Sequence, residues 1–290
     1  MKNQGNKKYN ESFMNTVFMA IVIGIIFFLT GIIFSGNIAT LLGANKQVYH
    51  MTSIYLKVLL MFGPAFVLNN VMNAFVRNDG NPRLSMIAML VGSFGNIILD
   101  YLLVIKFSMG MFGAVLATGF SPIMGLMVLS GHIVSENSNI KFKVAKIRAS
   151  FIKSIIMLGI PSFVAEMSSG IVIFVFNIII LDLQGNVGVA AYGVIANLAL
   201  VVISIYTGVA QGSQPLFSAA YGKNDKKMQK QLFKYAITAV TLISIVIYAV
   251  ILLFANPITS VFNGEGNMQL QAIAAVSYTH LRAHETAANL

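Results

Sequence analysis

The sequence predicts an all-α protein that crosses a membrane several times. Three observations carry this. Of 290 residues, 57% are hydrophobic and only 10% charged, against roughly 25% charged in water-soluble domains. The mean hydropathy is +0.80. The charges fall in short clusters between apolar runs of about 20 residues, the length a helix needs to cross hydrocarbon. Alternating strand patterns are missing, and in lipid each segment must satisfy its own backbone N–H and C=O groups, so the runs are helices.

Seven spanning segments follow in order: 13–35, 52–76, 84–106, 109–134, 151–181, 188–218 and 233–256. The first lies in a stretch with no ionisable side chain between Glu11 and Lys46. The second carries Lys57 near its start and Pro64 in its middle. The third opens after Asn81-Pro82-Arg83, contains Asp100 and closes on Lys106. The fourth has Pro122 and no Asp, Glu, Lys or Arg. The fifth contains Lys153, Pro161 and Glu166, the sixth no charge, and the seventh only Lys234.

The links divide into two alternating sets. One holds Lys2, Lys7, Lys8, Arg77, Arg83, Lys141, Lys143, Lys146, Arg148, Lys153, Lys223, Lys226, Lys227, Lys230 and Lys234, which is 15 basic residues. The other holds Lys46, Lys57 and Lys106. Basic residues mark the cytoplasmic side, so the N-terminus is expected inside the cell. The net charge of +10 is therefore a topological signal, and no nucleic-acid partner is expected.

The expected organisation is a four-helix part of a first bundle over 1–134, a cytoplasmic linker over 135–150, and a three-helix part of a second bundle over 151–275. Residues 276–290, VSYTHLRAHETAANL, break the apolar periodicity. They resemble translated adapter sequence and are expected to be a non-native tail without function. FSGNIATLLGA at 34–44 parallels FANPITSVFNG at 254–264, an offset of 220 residues that also pairs Phe13 with Phe233. Both copies run in the same direction, one of the repeat geometries of transporters.

No Cys is present, and the four His are scattered at 50, 132, 280 and 284. No P-loop and no Ser-His-Asp arrangement appears, so neither an enzyme nor a nucleotide-driven pump is expected. No cofactor is expected either.

Three stretches carry a family resemblance: YLKVLLMFGPAFVLNNVMNAFVRNDGNPRLSM at 55–86; GNIILDYLLV at 95–104 with MGMFGAVLAT at 109–118; and GIPSFVAEMSSG at 159–170 with GVAQGSQPLFSAAYGKN at 208–224. Together they resemble the MepA-like branch of the multidrug and toxic compound extrusion (MATE) family, over essentially 1–275. The resemblance implies twelve helices in two six-helix bundles, of which this chain holds the third to ninth, truncated at both ends. It implies a multi-pass cell-membrane protein that exports small-molecule drugs and is a monomer at full length.

Two acidic residues, Asp100 and Glu166, lie within spanning segments. A carboxylate at the bilayer centre costs roughly 2.5–3.5 kcal/mol or more. Asn96 and Asp100, at i and i+4, share one helix face with Cβ atoms about 6 Å apart. Counted from the turn at 106–109, Asp100 is about seven residues away and Thr118 about ten, a mismatch of about 4 Å. A carboxylate, an amide and a hydroxyl then meet, a hard-oxygen set suited to Na⁺ or to a proton on Asp100. It resembles the cation site of the family's first bundle. The alternatives are an interfacial helix end for Asp100, or a polar cluster that only joins two helices. A second candidate coupling or substrate site comprises Glu166, Gln211 and Gln214. Pro161 is expected to kink the helix before Glu166.

The function expected is secondary antiport: Na⁺ or H⁺ enters and an organic, lipophilic cationic compound leaves. Alternatives are a flippase for lipid-linked saccharides, a non-transporting scaffold, or an inactive fragment. A flippase calls for Lys or Arg inside the spans to hold phosphates, and only Lys57 and Lys153 come near.

Overall fold

The computed structural model describes residues 2–44, 46, 48–135, 138–140 and 147–262. The expected tail at 276–290 and the end of the second repeat copy lie outside them. Every regular element among the described residues is helical, and the chain divides into two compact units, Met1–Leu158 and Gly159–Leu290. Six helices are long and apolar enough to cross a membrane, and a bent pair makes a seventh span. The chain is a multi-pass membrane protein.

In the first unit, α1 covers Lys2–Leu41. It starts eleven residues before the expected span because nothing in the polar N-terminal stretch breaks a helix. It ends where Gly43 adopts φ +84 and Ala44 N–H reaches back to the Ala39 carbonyl at 3.0 Å, a glycine-closed C-terminus. The second expected span is α2 (Tyr49–Met61) and α3 (Gly63–Asn78), bent by 44°. Pro64, at the start of α3, has no N–H and its ring crowds the preceding turn. The bend lets the backbone dock: a Cβ at Gly63 would lie 2.6 Å from Phe27 Cβ, and one at Gly24 would lie 2.7 Å from Pro64 Cα.

α4 (Pro82–Asp100) begins with proline in its first turn, and the Asn81 side chain accepts from Leu84 N–H at 3.2 Å. A π-helical turn, Tyr101–Lys106, follows directly. α5 covers Gly110–Val134 and holds buried Pro122 without interruption. Phe13 and Val17 of α1, Met72 and Val76 of α3, Ala88 of α4 and Leu129 of α5 form the core with Ile140. Ile140 belongs to the segment expected to be a hydrophilic linker. It is fully buried, so this part of 135–150 is anchored.

The second unit holds most of α6 (Ala149–Gly222), broken at Gly185 (φ 64, ψ −158) into the spans Ala149–Leu183 and Ala191–Gly222. Helical φ/ψ persist through Pro161, so the helix is not broken before Glu166. In a membrane helix, local adjustment absorbs the lost bond. α7 (Lys226–Phe262) departs from helical geometry at Phe254 (φ −118, ψ 21). There the two repeat copies differ. Pro257 stands where the first copy has Asn37, and α1 continues to Leu41.

Candidate cation site

α4 and α5 are antiparallel neighbours whose register is fixed by small residues. A Cβ at Gly92 would lie 3.2 Å from Ser121 Oγ, and one at Gly125 would lie 3.4 Å from the Ala88 carbonyl. From this pairing, Asn96 lies four residues beyond Gly92, and Thr118 three before Ser121. They stand level to within about 1.5 Å. Asp100 is one further turn along, level with Ala114.

Each side chain has a distinct environment. The Asn96 Nδ2 is buried and has no hydrogen-bond partner. An orphaned buried amide costs about 1–3 kcal/mol. Thr118 Oγ1 donates to the Ala114 carbonyl at 3.0 Å, which spends its proton on its own helix and leaves its lone pairs free. Asp100 is half-buried, and its carboxylate makes no side-chain bond at the start of the π-turn. No hydrogen bond joins the three side chains among the described residues. Asn96 and Thr118 share a level on two helices, Asp100 lies one turn beyond, and the three are not a closed polar cluster.

The π-turn after Asp100 was not visible in the sequence YLLVIK, which holds neither Gly nor Pro. Phe107 N–H reaches the Leu102 carbonyl at 2.9 Å, five residues back, so the turn is widened next to the acid. Such turns often accompany functional sites.

The second candidate set does not assemble. Phe176 stacks on Tyr192, with centroids 5.8 Å apart, which sets the register of the two α6 spans. Glu166, ten residues before Phe176, is then level with residue 202. Gln211 lies nine residues deeper, about 13 Å away. Glu166 is exposed and Gln211 half-buried. Gln214 instead lines a separate cavity of about 360 Å³ with Phe217, Ser218, Tyr221 and Gln229.

Two polar groups were missed. Asn69, Asn73 and Ser85 join α3 to α4: Ser85 Oγ donates to Asn73 Oδ1 at 3.0 Å, and Asn73 Nδ2 donates to the Asn69 carbonyl at 3.0 Å. The second joins His132 to Asp79 by a hydrogen bond. His132 Nε2 lies 2.8 Å from Asp79 Oδ2, with both side chains nearly sealed from solvent. One sequence signal pointed there. Asp79 caps the C-terminus of α3, where the helix dipole opposes a negative charge, so a carboxylate there needs donors.

The MatE family profile matches residues 3–102 and 161–283. The multidrug export protein MepA of Staphylococcus aureus (strain bovine RF122 / ET3-1) is 30% identical over 247 residues, 84% of this chain and 54% of that protein. MepA of Staphylococcus saprophyticus is 27% identical over 260 residues, 89% of this chain and 57% of that protein. The chain thus spans about half the length of the curated relatives it matches. Among solved structures, a multidrug resistance MATE family transporter of the MOP superfamily aligns with a TM-score of 0.83 at 23% identity, over 93% of this chain and 60% of its own. A MOP superfamily transporter from Pyrococcus furiosus Vc1 (DSM3638) aligns with a TM-score of 0.84 at 24% identity, over 95% of this chain and 62% of its own. The reversed polarity of its binding pocket suggests a different function for that protein. Likeness at this level establishes the fold, and the chemistry must come from the site.

Proposed function

Since the chain belongs to the MatE family, we propose that it supplies the cation-binding helices of a secondary antiporter. This antiporter sits in the cell membrane with its basic turns in the cytoplasm. It exports a lipophilic organic cation in exchange for Na⁺ or H⁺. The matched relatives named as multidrug export proteins support drug export. The observation that carries the proposal is the half-buried Asp100 without an ionic partner, one turn from the orphaned Asn96 amide and near the free lone pairs of Thr118.

The chemistry follows from the cost of charge in a membrane. An unpaired carboxylate inside a span is unfavourable until a cation neutralises it. Na⁺ would take a carboxylate oxygen, the Asn96 carbonyl oxygen after rotation of its amide, and Thr118 Oγ1. A proton would sit on Asp100 alone. Binding at one face and release at the other couples the ion gradient to export when the helices alternate between two arrangements.

The test is transport of a fluorescent organic cation by the entire gene product in proteoliposomes, with Na⁺ and pH gradients imposed separately. Asp100→Asn keeps shape and hydrogen bonding but removes charge. It should insert normally and lose ion-driven export, with a milder loss for Thr118→Ala. Export by Asp100→Asn at the unmutated rate would rule the site out.

A further inference from the structure

At the other end of α4, about 20 Å from Asn96 along the axis, lies a buried polar chain that the cation site does not use. Asp79 closes α3, His132 sits in the last turn of α5, and Ser138 and Asn139 come from the segment after it. Three N–H donors converge on the Asp79 carboxylate, and the Ser138 hydroxyl beside them shares its single proton between Asp79 and the Ile140 carbonyl, 3.1 Å away. Oδ2 takes His132 Nε2 at 2.8 Å, Asn139 N–H at 3.0 Å and Ser138 Oγ at 3.3 Å, and Oδ1 takes Asn139 Nδ2 at 3.0 Å. The His132 and Asp79 side chains are 5% and 3% exposed.

The hydrogen-bond directions fix the state of the imidazole. Leu84 N–H can only donate, so Asn81 presents Oδ1 to it, at 3.2 Å, as the N-cap of α4. Asn81 Nδ2 therefore faces His132 Nδ1, at 3.4 Å. An amide NH₂ can only donate, so Nδ1 must carry a lone pair and Nε2 the proton given to Asp79. Every atom is satisfied when His132 is neutral.

A second proton on Nδ1 changes this. It strengthens the pair with Asp79 but sets N–H against NH₂ at Asn81. The conflict resolves when Asn81 turns its amide and gives Oδ1 to the imidazolium, which withdraws the cap from Leu84. We propose that His132, with Asp79 and Asn81, is a proton-binding site separate from Asn96, Asp100 and Thr118, and that its occupancy loosens the first turn of α4. Asp79 is the one ionisable group bonded to His132 among the described residues. The other ionisable groups near it on the surrounding elements are Tyr9 on α1, whose hydroxyl donates to the Phe75 carbonyl at 3.3 Å, Arg77 on α3, Arg83 in the first turn of α4, and the Glu11–Arg148 pair at 3.4 Å. Proton occupancy at one end of α4 is thereby transmitted to the helix that carries Asp100.

The inference does not depend on transport, and its test reads backbone exchange. The chain in lipid nanodiscs is followed by hydrogen–deuterium exchange at two pH values, about 7.5 and about 5.5. Rates are normalised to the intrinsic chemical rate at each pH. Exchange in the first turn of α4 should rise about fivefold at the lower pH, the size of a lost cap. His132→Gln offers a donor to Asp79 and an acceptor to Asn81 at both pH values, so it should keep the protection and abolish the pH step. Asn81→Asp can accept from Leu84 N–H and from the imidazolium together, so protection should instead increase in acid. The other His residues are present in all variants and cancel. A flat parent profile, or a full pH step in His132→Gln, overturns the proposal. If His132→Gln does not fold, Asn81→Asp decides: a step of the parent's sign overturns it as well.

Discussion

The two units use small residues in opposite ways. In Met1–Leu158 the glycines inside the spans, Gly131 apart, are sockets. A Cβ at Gly31 would lie 2.6 Å from Leu60 Cβ and 3.1 Å from the Lys57 carbonyl, and one at Gly119 would strike the Phe62 ring. In Gly159–Leu290 a Cβ at Gly159, Gly170, Gly193, Gly208, Gly212 or Gly222 would meet nothing within 4 Å. Hydropathy does not separate the two: the spans score 1.8–2.9 in the first unit, while Ala191–Gly222 and Lys226–Ile251 both score 2.0. Apolar helices in lipid gain little from burying grease against grease. What distinguishes a packed unit is close backbone approach and satisfied polar groups. The first unit has both. In the second, the described contacts between helices include one aromatic stack and the bond between Tyr206 and Ser244, at 2.8 Å.

The largest expected effect tests the polar half of this contrast. Asp79→Asn replaces an acceptor of three N–H hydrogen bonds with a group that must turn an NH₂ toward at least one donor. Losing hydrogen bonds to a charged group in a buried site costs up to about 3 kcal/mol. Thermal unfolding in detergent should show a clear drop in midpoint. Glu166→Gln, on an exposed face of α6, should leave the midpoint unchanged. Equal shifts would remove the distinction between the units.

The next effect tests the glycines. Gly24→Ala forces a methyl against the Pro64 backbone, which cannot move like the end of a flexible side chain, and should cost about 2 kcal/mol. Gly208→Ala enters open space in a helix and should stabilise by about 0.5–1 kcal/mol through the backbone entropy of glycine. Opposite signs in the two melting curves support the contrast. A loss at Gly208 would mean that its face is packed.

Much of this architecture can be read in the residues. The spans follow from apolar length, the break in α6 from a glycine able to adopt φ 64, and the α2–α3 bend from Pro64. The near-level placement of Asn96 and Thr118, with Asp100 one turn beyond, follows from helix rise and a short turn. The widened turn after Asp100 could not be foreseen, because YLLVIK suits an α-helix equally well. The Asp79–His132 pair was hidden for a different reason. Its members are 53 positions apart, and each looks like a solvated residue at the end of a span. Only the fold shows that α3, α4, α5 and the 138–140 segment converge there. The open faces of α6 were equally invisible, since a lipid-facing stripe and a packed stripe have the same composition in a membrane helix.

The smallest effect sharpens the comparison most, because it removes a single hydroxyl from each unit. Ser85 Oγ donates to Asn73 Oδ1 at 3.0 Å in a buried position, and Asn73 uses its own NH₂ on the Asn69 carbonyl. Ser85→Ala therefore strands a buried carbonyl oxygen, and the cost should be about 1–2 kcal/mol. In the second unit, Ser244 gives its proton to the Val240 carbonyl at 2.8 Å, so the Tyr206 hydroxyl must be the donor in the bond between them. Tyr206→Phe removes a donor from an oxygen that keeps its own hydrogen bond and strands nothing. The cost should be about 0.6 kcal/mol, the ordinary worth of an interhelical hydrogen bond in a membrane protein. Both variants delete one oxygen and leave the apolar framework intact, so the difference in melting midpoint reports how tightly each unit commits its polar atoms. If Tyr206→Phe proves the costlier of the two, the second unit is held by that bond more strongly than its open faces suggest, and the contrast between the units fails.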